Sequence, residues 1–155
     1  MKPYPDILSE SQVVVMDWLG YLTDNGFYLG GGTALALQLG HRTSLDFDFY
    51  SPKKFDNRVL AQELNTVFAG TSDTDMPLAQ LKDTFQGKIQ GVNVSGFYYP
   101  YVLVGELVDL APLKLASLQD IAAMKVAAVI QRGKQRDFID IYYLIDAWCL
   151  IIKYL

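Results

Sequence analysis

The sequence predicts an α/β (α+β) fold, a mixed β-sheet flanked by helices with further helices at the C-terminal end. Three observations carry this. Apolar residues recur at helical spacing in several separate segments, strict alternation marks a strand at Leu45–Tyr50, and three consecutive glycines join a short apolar strand to a helix. The resulting order is helix, strand, helix, strand, helix, several strands and two helices, which suits a mixed sheet covered by helices.

Residues 9–24 read as an amphipathic helix, with Ser9 or Ser11 as cap and Val14, Val15, Trp18, Leu19 and Leu22 at helical spacing. Asn25-Gly26 stops it. Phe27-Tyr28-Leu29 is a short strand, and a helix from Thr33 to Leu39 ends at Gly40. From Leu45 to Tyr50 the chain alternates, so Asp46 and Asp48 share one strand face and Leu45, Phe47 and Phe49 the other. Asp56 caps a helix over 56–69 with Val59, Leu60, Leu64, Val67 and Phe68 as its buried stripe. Residues 74–116 are turn-rich and strand-like, best at Lys88–Gly96 and Gly105–Leu110, with one more short strand at Leu113–Ala116. Ser117 caps a long helix with Asp120 three residues on, an arrangement like a capping box, and Gly133 breaks it. A last helix covers about 136–152.

The 155 residues are expected to form one domain, 1–155, with a core over about 25–116 and a helical C-terminal part over about 117–155. Hydrophobic residues make up 51% and charged residues 19%, which excludes a disordered chain. A formal net charge of -4 is unsuited to strong sequence-independent attraction to DNA. A local basic patch for RNA remains available, because Lys125, Arg132, Lys134 and Arg136 crowd one short region. One cysteine, Cys149, excludes an internal disulfide, and with a single histidine it excludes a thiolate zinc site; Cys149 is expected to be a small core residue. No signal peptide opens the chain and no apolar stretch is long enough to span a bilayer, so no membrane is expected and a cytoplasmic location is.

Two features carry chemistry. Gly30-Gly31-Gly32-Thr33 lies between a strand and a helix. Glycine lets backbone approach a ligand closely, and a helix N-terminus offers free N–H groups and partial positive charge to a phosphate. The same turn also serves as a plain tight connection. Asp46-Phe47-Asp48 sets two carboxylates on one strand face, and hard divalent cations need such oxygen ligands. The other reading is a pair of solvated acids on an edge strand, but the apolar flanks place the strand inside the sheet, where unpaired acids are costly. Together the turn and the acids have the layout of nucleotidyl transfer, with a nucleoside triphosphate between phosphate turn and metal.

The run Tyr28-Leu-Gly-Gly-Gly-Thr-Ala-Leu, then His41-Arg-Thr-Ser-Leu-Asp-Phe-Asp-Phe, then Lys125-Val-Ala-Ala and Arg132-Gly-Lys-Gln-Arg-Asp-Phe-Ile-Asp-Ile-Tyr, resembles the AbiEii/AbiGii toxin family of DNA polymerase β-like nucleotidyltransferases. The matching blocks cover roughly 27–51 and 117–145. The resemblance implies a nucleotidyltransferase fold and a Mg²⁺- (or Mn²⁺-) dependent enzyme. Such an enzyme transfers NMP from an NTP to an RNA, tRNA included, or to a protein. It implies a toxin of a toxin–antitoxin or abortive-infection phage-defence system, with a cognate antitoxin as partner. Carried over by motif, Asp46 and Asp48 are metal ligands and catalytic. Gly31, Gly32, Thr33, Ser44 and Lys125 bind the nucleotide. Lys125 and Asp137 complete the catalytic set.

The residues alone leave alternatives open. Lys125, in an otherwise apolar helix, either snorkels to solvent or points into a site. Asp137 and Asp140 favour a helix dipole, and Asp137 suits a salt bridge from Arg132 or Arg136. Arg42 reaches a phosphate or ties its loop to Asp46 or Asp48, and His41 makes a loop contact or acts as a base. The strand around Gln90–Gly96 offers Asn93 where this superfamily places a third acid, with Asp109 as a substitute elsewhere. The amide supports a second reading, a catalytically degenerate module that binds nucleotide and a partner. A small-molecule, antibiotic-modifying transferase would share the same metal site.

Overall fold

The computed structural model describes residues 3–71, 73–75 and 82–153, with side chains through 149. After a 3₁₀ turn at Pro5–Ile7 come α1 (Glu10–Trp18), α2 (Gly20–Asp24), β1 (Tyr28–Leu29), α3 (Gly31–Leu39), β2 (Phe47–Ser51) and α4 (Asn57–Val67). Then follow β3 (Thr84–Ile89), β4 (Val92–Tyr98), β5 (Val108–Leu110), β6 (Leu113–Leu115), α5 (Leu118–Gln131) and α6 (Gln135–Lys153). The strands form one six-stranded mixed sheet in the order β3-β4-β2-β1-β6-β5. β2 runs parallel to β4 and β1 parallel to β6, while the β1–β2, β3–β4 and β5–β6 pairs are antiparallel. The α/β class predicted from the sequence is the class found.

Several elements differ from their sequence reading. The helix expected over 9–24 breaks at Leu19, and Ser9 is its cap in a reciprocal capping box with Gln12. Val14 is exposed while Val15, Leu19 and Leu22 are fully buried. In α4 the buried stripe is Leu60, Ala61 and Leu64, continued by Phe68 at the C-cap, and Val59 and Val67 face solvent. The strand predicted over Lys88–Gly96 is two strands. Gln90 (φ 48) and Gly91 (φ 74) form a two-residue turn between paired Ile89 and Val92, the left-handed pair that matches the twist of a hairpin. Leu45 lies outside the ladder and is 61% exposed, and Cys149 is exposed and not a core residue. Among the described residues no helix is long and apolar enough to cross a membrane.

Period-two burial gives β2, β3 and β4 two unlike faces. Phe47, Phe49, Phe85, Ile89, Val92 and Val94 are buried, with α1 against β4 and α4 against β3. The other face carries Asp48, Tyr50, Gln86, Lys88, Asn93 and Ser95, all half-buried or exposed. This open face is where polar chemistry can meet a ligand without desolvating the core.

The buried side is close-packed enough to forbid one extra carbon. A Cβ on Gly96 would lie 2.0 Å from Cε1 of Phe85. Gly96→Ala is expected to lower stability by about 1–3 kcal/mol, the usual cost of overpacking. Urea unfolding measures it, and an unchanged midpoint would refute the close approach.

Candidate active site

The glycine turn and the acid strand are joined by backbone. Gly30 N–H donates to the Asp48 carbonyl at 2.9 Å, which seats the start of α3 beside β2. Gly31 begins α3 at φ +62, a conformation that favours glycine, and a Cβ there would come within 3.3 Å of Asp48 Oδ2. A Cβ on Gly32 would collide with the Arg42 guanidinium at 2.3 Å. The glycines therefore leave room for the carboxylate and the guanidinium. The first amides of α3 lack carbonyl partners within the helix, as at any helix start.

Asp48 sits in β2 and Asp46 just before it. Each has one oxygen engaged by β4: Asn93 Nδ2 donates to Asp46 Oδ1 at 2.8 Å, and Ser95 Oγ donates to Asp48 Oδ1 at 2.7 Å. Burial raises the Asp48 carboxyl above its ordinary value, against the Ser95 hydrogen bond, and the Asp46 charge adds to the rise. The donor set fits a hard divalent cation: two carboxylates on one face, all oxygen, with a second oxygen of each outside these bonds. Among the described residues no group of three or more His, Cys, Asp or Glu could hold a metal ion. Asp109 is no third acid. It is exposed on β5 at the far edge of the sheet, with Lys114 at 4.0 Å.

Beside the carboxylates a cavity of about 380 Å³ is lined by Gly32, Arg42, Ser44, Asp46, Asp48, Lys125, Arg132, Lys134, Gln135, Arg136 and Asp137. The basic patch and most of the motif residues thus share one space. Thr33 stands apart. It is 2% exposed, and its hydroxyl is taken by Ser44 Oγ at 2.7 Å and by the Asp46 carbonyl, so it anchors the approach to β2. Gly31 is likewise outside the cavity lining.

Lys125 does not snorkel. It is 4% exposed, and its ammonium lies 3.2 Å from Asp137 Oδ1 and 2.6 Å from Asp140 Oδ2. Arg132 forks onto Asp137 with two contacts of 3.0 Å, as one reading of the sequence had it. Arg42 ties its loop down through Asp140 and not through Asp46 or Asp48, at 2.7 and 2.9 Å. His41 Nε2 joins the same carboxylate at 2.8 Å, and among the described residues its Nδ1 is buried without a partner. Asp140, read from the sequence only as an acid suited to a helix dipole, is therefore the hub of this cluster. The signal was present: a lone Lys in an apolar helix needs buried acids, and Asp137 and Asp140 lie one turn apart on the next helix. Burial alone would raise the Asp140 carboxyl, but hydrogen bonds from His41, Arg42 and Lys125 outweigh it and hold it well below the ordinary range. The Arg132 hydrogen bond does the same for Asp137.

Both acids have folded values below their unfolded ones. Their stability contribution is complete above about pH 4 and lost as pH falls below that. Asp140→Asn is expected to cost about 3–5 kcal/mol at pH 7, because it strands buried cations, and to flatten the acid limb. Urea unfolding across pH tests this; parallel acid limbs for the variant and the parent would contradict it.

Comparisons with known proteins bear on the family and the fold. The family model described as nucleotidyl transferase AbiEii toxin, type IV toxin–antitoxin system, matches residues 21–111. The uncharacterized protein aq_aa25 of Aquifex aeolicus (strain VF5) is 37% identical over 124 residues, covering 77% of this chain and 58% of that protein. The chain thus spans less than two-thirds of that relative. Megavirus polyadenylate synthase superposes with a TM-score of 0.66 at 17% identity, over 89% of this chain and 32% of the synthase. ANT(2″)-Ia, solved in complex with adenylyl-2″-tobramycin, superposes with a TM-score of 0.58 at 14% identity, over 90% of each chain. At these identities the structural likeness is one of fold, and the fold is that of nucleotidyltransferases.

Proposed function

The chain belongs to the AbiEii family of nucleotidyltransferase toxins, and we propose that it transfers a nucleoside monophosphate from an NTP to a hydroxyl of RNA, with Mg²⁺ or Mn²⁺ held by Asp46 and Asp48. The observation that carries this reading is the meeting of a two-carboxylate pair with a cavity walled by Arg42, Lys125, Arg132, Lys134 and Arg136. A divalent cation bound there would neutralise triphosphate oxygens and orient them for displacement.

The chain's own residues supply the rest. Exposed Arg132, Lys134 and Arg136 draw the triphosphate into the cavity. The start of α3, at Gly31 and Gly32, offers amide N–H groups to phosphate oxygens. Lys125 supplies a fixed positive charge at the cavity floor, held by Asp137 and Asp140. Ser44 lines the same cavity and meets Thr33. None of these side chains forms a covalent bond to substrate, since phosphoryl-type transfer relies on positioning and charge stabilisation. The partner implied by the family description is an antitoxin.

Asn93 favours a second reading. Where a third acid would stand, an amide donates to Asp46. A site that binds NTP without turning it over, acting through a partner, would carry this arrangement.

Incubation of the protein with α-labelled NTPs, Mg²⁺ and total bacterial RNA separates the two. Transfer is expected, lost with EDTA and reduced at least ~100-fold by Asp48→Ala or Asp46→Ala, the scale on which one preorganised electrostatic group acts. Saturable NTP binding with no labelled RNA or protein would favour the binding module and refute transfer.

A further inference from the structure

We propose that a second cavity, on the β3–β4 side of Asp46 and Asp48, is the acceptor site, and that it holds the 3′ end of a single-stranded RNA with Lys88 against its last phosphodiester. The inference rests on the nucleotidyl-transfer reading and assigns that reaction's second substrate.

This cavity, of about 390 Å³, is lined by Asp46, Asp48, Gln86, Gly87, Lys88, Asn93, Val94 and Ser95. It shares with the cationic cavity only Asp46 and Asp48. The strand register explains its floor. Lys88 pairs with Asn93 and Gln86 with Ser95 across β3–β4, while Asp48 pairs with Ser95 across β2–β4. Asn93 reaches Asp46 and Ser95 reaches Asp48 by hydrogen bond. The open sheet face therefore holds two rows, Lys88-Asn93-Asp46 and Gln86-Ser95-Asp48, each ending on a carboxylate.

The two spaces differ in charge. Beyond the shared Asp46 and Asp48, the first adds five cations and Asp137, and the second adds Lys88 as its one charge beside two amides and a hydroxyl. A triphosphate concentrates its negative charge and belongs in the first. In-line displacement sets the entering and leaving oxygens on opposite sides of the α-phosphorus. With the leaving pyrophosphate among the cations, the entering hydroxyl comes from the β3–β4 side. There the acceptor 3′-oxygen bonds to the α-phosphorus, the bond from that phosphorus to the α–β bridging oxygen breaks, and pyrophosphate leaves with the electron pair. The hydroxyl proton passes to water.

The lining chooses RNA over protein. Lys88 is exposed, and among the described residues it forms no ion pair, so its charge is available to a phosphodiester. Its backbone is fixed at both N–H and C=O by Asp75, which holds the strand end in place. Amide side chains at Gln86 and Asn93 suit base edges and a 2′-hydroxyl. Val94 is the one apolar residue in the lining, too little to anchor a peptide side chain.

The test is label transfer from α-labelled NTPs to total bacterial RNA, at varied RNA and salt, for the parent chain, Lys88→Gln and Lys88→Arg. Lys88→Gln is expected to raise the half-saturating RNA concentration ~10-fold and to lower the log–log salt slope by about 0.7, the share of one single-strand phosphate contact. The half-saturating NTP concentration stays unchanged, Lys88→Arg restores RNA dependence, and periodate oxidation of RNA 3′ ends abolishes labelling. Because Lys88 is exposed, thermal melts of the variants should match the parent. If the parent labels RNA and Lys88→Gln keeps the same RNA dependence and slope, the acceptor site is wrong and nucleotidyl transfer stands. Label found on protein in place of RNA overturns the acceptor assignment too. No label on RNA or protein from the parent overturns the transfer reading itself.

Discussion

The arrangement hangs on one buried carboxylate. Asp140 is fully buried and accepts from His41, from both arms of Arg42 and from Lys125. Those partners come from the loop before β2 and from α5, so a single side chain of α6 joins its neighbouring helix to a loop about a hundred residues away. A buried ion cluster of this kind gives little net stability over an apolar alternative, yet removing one member leaves the others uncompensated. Its use here is geometric. It holds the loop that leads into Asp46 and fixes Lys125 at the floor of the cationic cavity.

From that anchor the division of labour follows. The glycine turn lets α3 start against β2, where any side chain would crowd Asp48 or Arg42. β2 and the residue that leads into it present two acids on the open face, and β2 presents two phenylalanines on its buried one. β4 engages one oxygen of each acid through Asn93 and Ser95, in the place where a third acid would add negative charge. A pair with neutral β4 neighbours, five cations on one side and Lys88 on the other gives a site with a direction, donor from one flank and acceptor from the other.

Much of this was legible in the sequence, for reasons that are physical. Alternation at Asp46-Phe47-Asp48 survives because one sheet face is buried and register cannot slip. The pattern misled at Leu45, since alternation ran past the ladder to a residue whose neighbour Asp46 gives its carbonyl to Thr33 in place of a strand partner. The stripe of α4 was drawn too wide, right at Leu60, Leu64 and Phe68, because Val59 and Val67 are apolar yet face solvent, and apolarity alone cannot say which edge of a stripe is buried. The single strand read over Lys88–Gly96 hid a two-residue turn, because Gln is an uncommon residue at positive φ. Thr33 was read as a phosphate contact from its place after the glycines, and its burial became visible only with Ser44 and Asp46 in space. Asp140 was read only as a helix-dipole acid because its partners His41 and Arg42 lie about a hundred residues away, a separation that no local pattern spans.

The proposed chemistry requires Asp46 and Asp48 to hold a cation–nucleotide complex. Equilibrium titration of a non-hydrolysable NTP analogue, with and without Mg²⁺, addresses this without requiring turnover or knowledge of the acceptor. Binding should need the cation and should be lost in Asp46→Asn and Asp48→Asn while both variants keep their fold. Tight binding that persists in EDTA and in both variants would contradict it.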